Sequence, residues 1–148
     1  MNTRNWLVAA ASVALLATSL YAAEAIKLEG IKCPVAGTKA AKEGTEAEYK
    51  GGKVFFCCQG CPDAFAADKA KFSEKANHQL AATKQAKQVK CPITGEDVNP
   101  AAKVTLAGVS VAFCCEGCQG KVADAKGAEQ TALVFSDKAF DKAFKVSK

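Results

Sequence analysis

The chain has 148 residues, eight Cys and a formal net charge of +5, with 49 % hydrophobic residues but only 7 % aromatics. Thirty of the residues are Ala, so the apolar fraction overstates the core-forming content. The balance excludes a disordered polyampholyte and offers too little for a large enzyme fold. A chain with a thin core and clustered Cys calls for staples, either metal or disulfide.

The first 25 residues read as a secretory leader. Arg4 supplies a positive start, Trp6 to Leu20 an apolar stretch, and Ala23-Glu24-Ala25 a small-residue cleavage site. The apolar run falls short of the ~20 residues that a membrane-spanning helix needs. The pattern predicts a periplasmic or secreted protein that does not span a membrane after cleavage. Removing the leader takes away Arg4 and Glu24, so the net charge stays +5 and every remaining base is Lys. The Lys residues are interleaved with acids, and the bidentate Arg contacts used to read bases are missing. Nucleic acid is therefore not an expected partner.

An internal repeat follows. Lys32-Cys33-Pro34-Val35-Ala36-Gly37 matches Lys90-Cys91-Pro92-Ile93-Thr94-Gly95, and Val54-Phe55-Phe56-Cys57-Cys58-Gln59-Gly60-Cys61 matches Val111-Ala112-Phe113-Cys114-Cys115-Glu116-Gly117-Cys118. The offset is 58 residues at the first Cys and 57 at the Cys cluster, which predicts two related units of four Cys each. The expected organisation is a first Cys-rich unit over 26–76, a linker or helix extension over 77–89, and a second unit with an added helix over 90–148.

Within each unit the local signals keep one order. Cys-Pro-x-x-Gly predicts a tight turn, with Pro presetting φ and Gly closing it. A hairpin comes next: Thr45–Lys50 and Lys53–Cys57 about Gly51-Gly52, then Lys103–Leu106 and Val109–Cys114 about Ala107-Gly108. Cys61, Phe65, Phe72 and Ala76 fall on one helical face, as do Cys118, Val122 and Ala125, with Gly127 weakening the second helix. Leu133-Val134-Phe135 reads as strand or loop. Ser136 is expected to cap a final helix carrying Phe140 and Phe144. Tyr49 and Leu106 are expected to pack the hairpins on the helices. His78, the one His, has no copy in the second unit and reads as a surface residue rather than a ligand.

The cysteines carry the chemistry. In each unit one Cys sits on the turn, and three crowd the junction of a strand end with a helix start: Cys33 with Cys57, Cys58 and Cys61, and Cys91 with Cys114, Cys115 and Cys118. Free N–H groups and the helix dipole favour the thiolate form that binds soft or borderline metals. Cys-x2-Cys and Cys-x3-Cys at a helix start both suit tetrahedral sulfur ligation. Adjacent Cys on a strand point to opposite faces, so the vicinal members can bind or pair elsewhere. No Ser-His-Asp set, repeated carboxylate pair or phosphate loop accompanies them, and no enzyme activity is expected.

Turn, hairpin and Cys cluster entering a helix resemble the treble-clef zinc-binding plan. Cys-x23-Cys-x3-Cys in the first unit and Cys-x22-Cys-x3-Cys in the second, with Phe65 and Phe72 following, resemble the TRASH motif and the related YHS modules. The likeness spans 33–76 and 91–125. It implies a small α+β fold of two tandem treble-clef-like units with an extra C-terminal helix, and a role in heavy-metal trafficking, resistance or sensing. The chain departs from the treble-clef plan where Ala36 and Thr94 replace the second Cys of each turn. Either Cys58 and Cys115 supply the fourth ligand, or each site holds three sulfurs and an open position, which suits copper(I) and other soft ions.

The expected function is that of an exported metal-thiolate binder carrying about one zinc or copper(I) ion per unit, for storage, delivery or resistance. Its partners would be metal ions and another exported or membrane metal-handling protein. Two alternatives stay open. One is a structural or interaction module stapled by zinc or by disulfides, which an oxidising compartment favours. The other is a thiol–disulfide oxidoreductase using Cys58-x2-Cys61 or Cys115-x2-Cys118.

Overall fold

The computed structural model describes residues 25–147, so the expected leader lies almost wholly outside the described residues. The fold is small and mixed α+β, with five helices and three two-stranded antiparallel sheets among the described residues. No described helix is long and apolar enough to cross a membrane.

Each repeat begins with a knuckle. Gly37 N–H donates to the Cys33 carbonyl at 2.8 Å, and Gly95 N–H to that of Cys91 at 2.8 Å. Both glycines have positive φ, +74° and +86°, the conformation a tight turn requires of its closing residue. A hairpin follows each knuckle: β1 (Glu46–Tyr49) with β2 (Gly52–Phe55), and, later in the chain, β4 (Asn99–Leu106) with β5 (Val109–Phe113).

The first hairpin turns one residue earlier than its Gly-Gly pair implies. Tyr49 pairs with Gly52, leaving Lys50 and Gly51 as the two loop residues at φ +50° and +86°. Ala107 and Gly108 occupy the same places in the second hairpin, at φ +44° and +86°. Positive φ at both loop positions matches the right-handed twist of the strands. Gly52 instead lies in β2, where a Cβ would come within 2.8 Å of Leu80 Cδ2. Close packing, not turn geometry, demands glycine there.

The helical face expected through Ala76 is split in two. The chain leaves helical geometry at Asp68, so α1 (Gly60–Ala67) carries Cys61 and Phe65, whereas α2 (Lys69–Ala82) carries Phe72 and Ala76. The Asp68 carboxylate accepts from Lys71 N–H at 3.1 Å and caps α2. Residues 77–82 complete α2, and β3 (Ala86–Gln88) follows. In the second repeat α3 (Glu116–Asp124) is separated by Gly127 from α4 (Ala128–Phe135). Leu133-Val134-Phe135 is therefore helical, because Val134 and Phe135 are fully buried against the core. Next come α5 (Asp137–Ala143) and β6 (Phe144–Val146). The Ser136 side chain makes no capping bond to α5. Phe144 has left the helix but stacks on Phe140, with ring centroids 5.0 Å apart.

The two repeats share one core. Phe56, Phe65, Leu80, Phe113, Val122, Phe135 and Phe140 belong to a single buried cluster. Tyr49 packs edge-on against Phe65 at 5.2 Å. β3 pairs antiparallel with β6, with Lys87 opposite Lys145. Glutamine amides close the open edges of both hairpins. Gln79 accepts from Phe55 N–H at 2.6 Å and donates to its carbonyl at 2.9 Å. Gln88 does the same for Ala112, the repeat equivalent of Phe55, at 2.9 and 2.6 Å. These amides satisfy backbone groups that a two-stranded sheet leaves orphaned.

Candidate metal centres

The knuckle and the helix start bring three sulfurs of each repeat together. Cys33, Cys57 and Cys61 form one group and Cys91, Cys114 and Cys118 the other, with ligand atoms within 4.8 Å of one another in each. Cys33 and Cys91 are fully buried in the knuckles. Cys114 directly follows β5, and Cys57 stands two residues beyond the last residue of β2. Cys61 and Cys118 lie in the first turns of α1 and α3.

The spacing suits a bound ion. Two sulfurs at about 2.3 Å from a tetrahedral ion stand about 3.8 Å apart. Cys57 Sγ is 3.7 Å from Cys61 Sγ, and Cys114 Sγ is 3.6 Å from Cys118 Sγ. Three sulfurs and no carboxylate form a soft donor set, suited to zinc or copper(I) rather than calcium or magnesium.

Cys58 and Cys115 lie beside the triads and are exposed. Cys58 Sγ is 3.2 Å from Cys61 Sγ and 4.0 Å from that of Cys57. Cys115 Sγ is 3.7 Å from Cys114 Sγ. None of the eight thiols is joined in a disulfide in this structure.

The thiols are electrostatically graded. Burial pushes the Cys91 thiol up, but the backbone N–H groups of Thr94 and Cys114 and the Thr94 hydroxyl outweigh it and bring it down to about 6. Cys33 is lowered in the same way: burial opposes, and the N–H groups of Ala36, Cys57 and Val35 prevail. Cys61 is pushed up to about 12, first by sharing a proton with Cys58 and then by burial. Burial, then Cys114 and Cys115, raise Cys118 to about 12. Backbone N–H groups thus favour the thiolate form in each knuckle, and each helix start holds a protonated thiol that an incoming cation would have to deprotonate.

The two centres differ at the third residue after the turn Cys, Ala36 in one and Thr94 in the other. Thr94 Oγ1 lies 3.3 Å from Cys114 Sγ, whereas Ala36 offers no side-chain polar group. A lysine also reaches each knuckle. Lys142 Nζ of α5 donates to the Ile93 carbonyl at 3.0 Å, and Lys75 of α2 lies against Gly37. Neither lysine is legible as a site residue from sequence, because they occupy non-equivalent places in the repeat.

His78 belongs to neither centre, nor is it on the surface as its lack of a repeat copy implies. It is half-buried at the joint between α2 and the second hairpin. Its ring stands edge-on to Phe135 at 5.0 Å, and Nε2 lies 3.2 Å from the Ala107 carbonyl. Burial holds its pKa below the ordinary value.

No family model matches the chain, and no curated protein or solved structure shows significant similarity to it.

Proposed function

We propose that this protein is an exported metal-thiolate binder in which Cys33, Cys57 and Cys61 hold one soft or borderline ion and Cys91, Cys114 and Cys118 a second. The observation that carries the reading is the duplicated triad: the same three repeat positions converge twice within 4.8 Å. The order of knuckle, hairpin and helix in each repeat supports kinship with the treble-clef, TRASH and YHS plan. Three sulfurs leave a position open, which suits storage or delivery of zinc or copper(I) to another exported or membrane metal-handling protein. A metal serving only as a staple would exchange slowly with chelators, whereas a delivered metal exchanges readily.

Native mass spectrometry of the reduced protein titrated with zinc or copper(I) tests this. Two ions per chain are expected, and one after Cys61→Ser, with Cys118 still protected from alkylation. A reduced, folded chain that takes up neither ion would refute the proposal.

A further inference from the structure

Cys58 is the one sulfur of the first repeat whose place the triad does not explain. It is exposed, stands just before α1, and its Sγ lies 3.2 Å from that of buried Cys61. That separation is shorter than the about 3.8 Å edge of a tetrahedral thiolate site at about 2.3 Å from the metal. The two sulfurs are too close to ligate one ion together comfortably, and close enough to bond to each other after a small movement. Cys-x2-Cys at a helix start, with one sulfur exposed and one covered, is the arrangement that thiol–disulfide exchange uses.

The second repeat is built differently. Its short sulfur contacts run through Cys114, 3.6 Å to Cys118 and 3.7 Å to Cys115, whereas the shortest in the first repeat joins Cys58 to Cys61 directly at 3.2 Å.

We propose that Cys58 and Cys61 are a redox gate on the first metal site, oxidised by low-molecular-weight disulfides, and that closing their disulfide releases the ion. The gate rests on the metal-binding reading above, since it removes one of that site's three sulfurs. The Cys58 thiolate attacks one sulfur of the incoming disulfide, forming a mixed disulfide and expelling one thiolate. Cys61 sulfur, leaving the metal, attacks Cys58 Sγ and expels the second thiolate. The protein loses two electrons, the small disulfide gains them, and its two thiolates take up protons from the Cys thiols or from water. The ion is left with Cys33 and Cys57 and dissociates. The second site keeps its triad and its ion under the same conditions.

The test uses the whole chain loaded with zinc without oxygen and treated with oxidised glutathione. Released zinc is read with a chromophoric chelator and cross-links are mapped by peptide mass spectrometry. The expected result is release of about one of two ions, a Cys58–Cys61 cross-link, and a Cys58→Ser variant that binds two ions and releases them at least tenfold more slowly. A first cross-link between any other pair, or equal release from Cys58→Ser, would overturn the gate. So would loss of one zinc from Cys58→Ser before oxidant is added, since Cys58 would then be a ligand. If the wild-type chain takes up no zinc, the metal reading fails and the gate with it, while the cross-link map of the metal-free chain still decides the exchange chemistry.

Discussion

The Tyr49 hydroxyl donates to the Asp137 carboxylate at 3.0 Å, joining the end of the first hairpin to the start of α5 across 88 residues of chain. Asn77 Nδ2 donates to the same oxygen at 3.0 Å, and Lys50 Nζ lies 3.1 Å from it and also contacts Asp141. One carboxylate therefore ties β1, α2 and α5 together. Burial pushes the Asp137 pKa up, but Asn77, Lys50 and Tyr49 outweigh it and hold the carboxyl below its ordinary range.

The sign of the pH effect follows. A depressed carboxyl pKa stabilises the fold above the unfolded value of about 3.9 and ceases to do so as pH falls through the folded value. Asp137→Asn should destabilise the reduced, metal-free chain at pH 7 by about 1–2 kcal/mol, allowing for two or three partly exposed hydrogen bonds. The gap between wild type and variant in urea unfolding should narrow steadily below about pH 4. A gap independent of pH would mean that the carboxylate charge contributes nothing.

The shared core makes a second prediction. Chelation chemistry is local to each triad, but folding is not. A fragment ending at Val89 would lose the β6 partner of β3, the Asp137 partner of Tyr49 and Asn77, and the Phe135 and Phe140 side of the core. Such a fragment should lack dispersed amide resonances and a cooperative unfolding transition, even with zinc present. Cys61→Ser in the full chain should still fold and still load its other site. A well-folded fragment would show that the repeats are separable domains.

Glycine substitutions separate turn geometry from packing. Gly51 has open space around it, so Gly51→Ala meets only the left-handed backbone penalty of about 1–2 kcal/mol. At Gly52 the new methyl group would press on Leu80, which is fully buried and cannot swing into solvent, and on Val146 Cγ1 at 3.1 Å. Overpacking of that kind costs about 1–3 kcal/mol, and Gly52→Val should cost more again. Urea midpoints that ranked Gly51→Ala below Gly52→Val would place the turn back on Gly51-Gly52.

These positions also show what sequence reading could and could not reach. Two adjacent glycines make a hairpin legible but leave its register open by one residue, and only the Leu80 and Val146 contacts decide it. The Cys spacing exposed both triads because each is local to its repeat. Residues 77–89 looked like a connector because their working residues are glutamines and an asparagine, whose targets are backbone groups far away in sequence. Gln79 and Gln88 find theirs 24 residues off, and Asn77 finds the Phe135 carbonyl 58 residues off. Periodicity detects apolar faces, and it is blind to amides that substitute for a missing strand.

Thr94 offers the sharpest test of whether the two centres are chemically distinct. Its hydroxyl lies 3.3 Å from Cys114 Sγ, and its hydroxyl and N–H both help to lower the Cys91 thiol to about 6. A metal ion must displace a proton from any ligand thiol still protonated, so a lowered pKa raises apparent affinity at neutral pH. Thr94→Ala removes the hydroxyl but keeps the backbone donors, and should return the Cys91 thiol part of the way towards its usual value. One lost hydrogen bond of about 1 kcal/mol corresponds to a roughly fivefold weaker second site. The penalty should be larger at pH 7, where Cys91 in the variant carries more proton than in wild type, and smaller at pH 9, where both are ionised. The first site, with Ala36 in the equivalent place, should be unchanged at either pH. Competition titrations of Thr94→Ala against a calibrated zinc chelator at the two pH values measure this, in a Cys61→Ser background for the second site and a Cys118→Ser background for the first. An equal penalty at pH 7 and pH 9 would mean that Thr94 acts on the bound ion and not on the proton that the ion displaces.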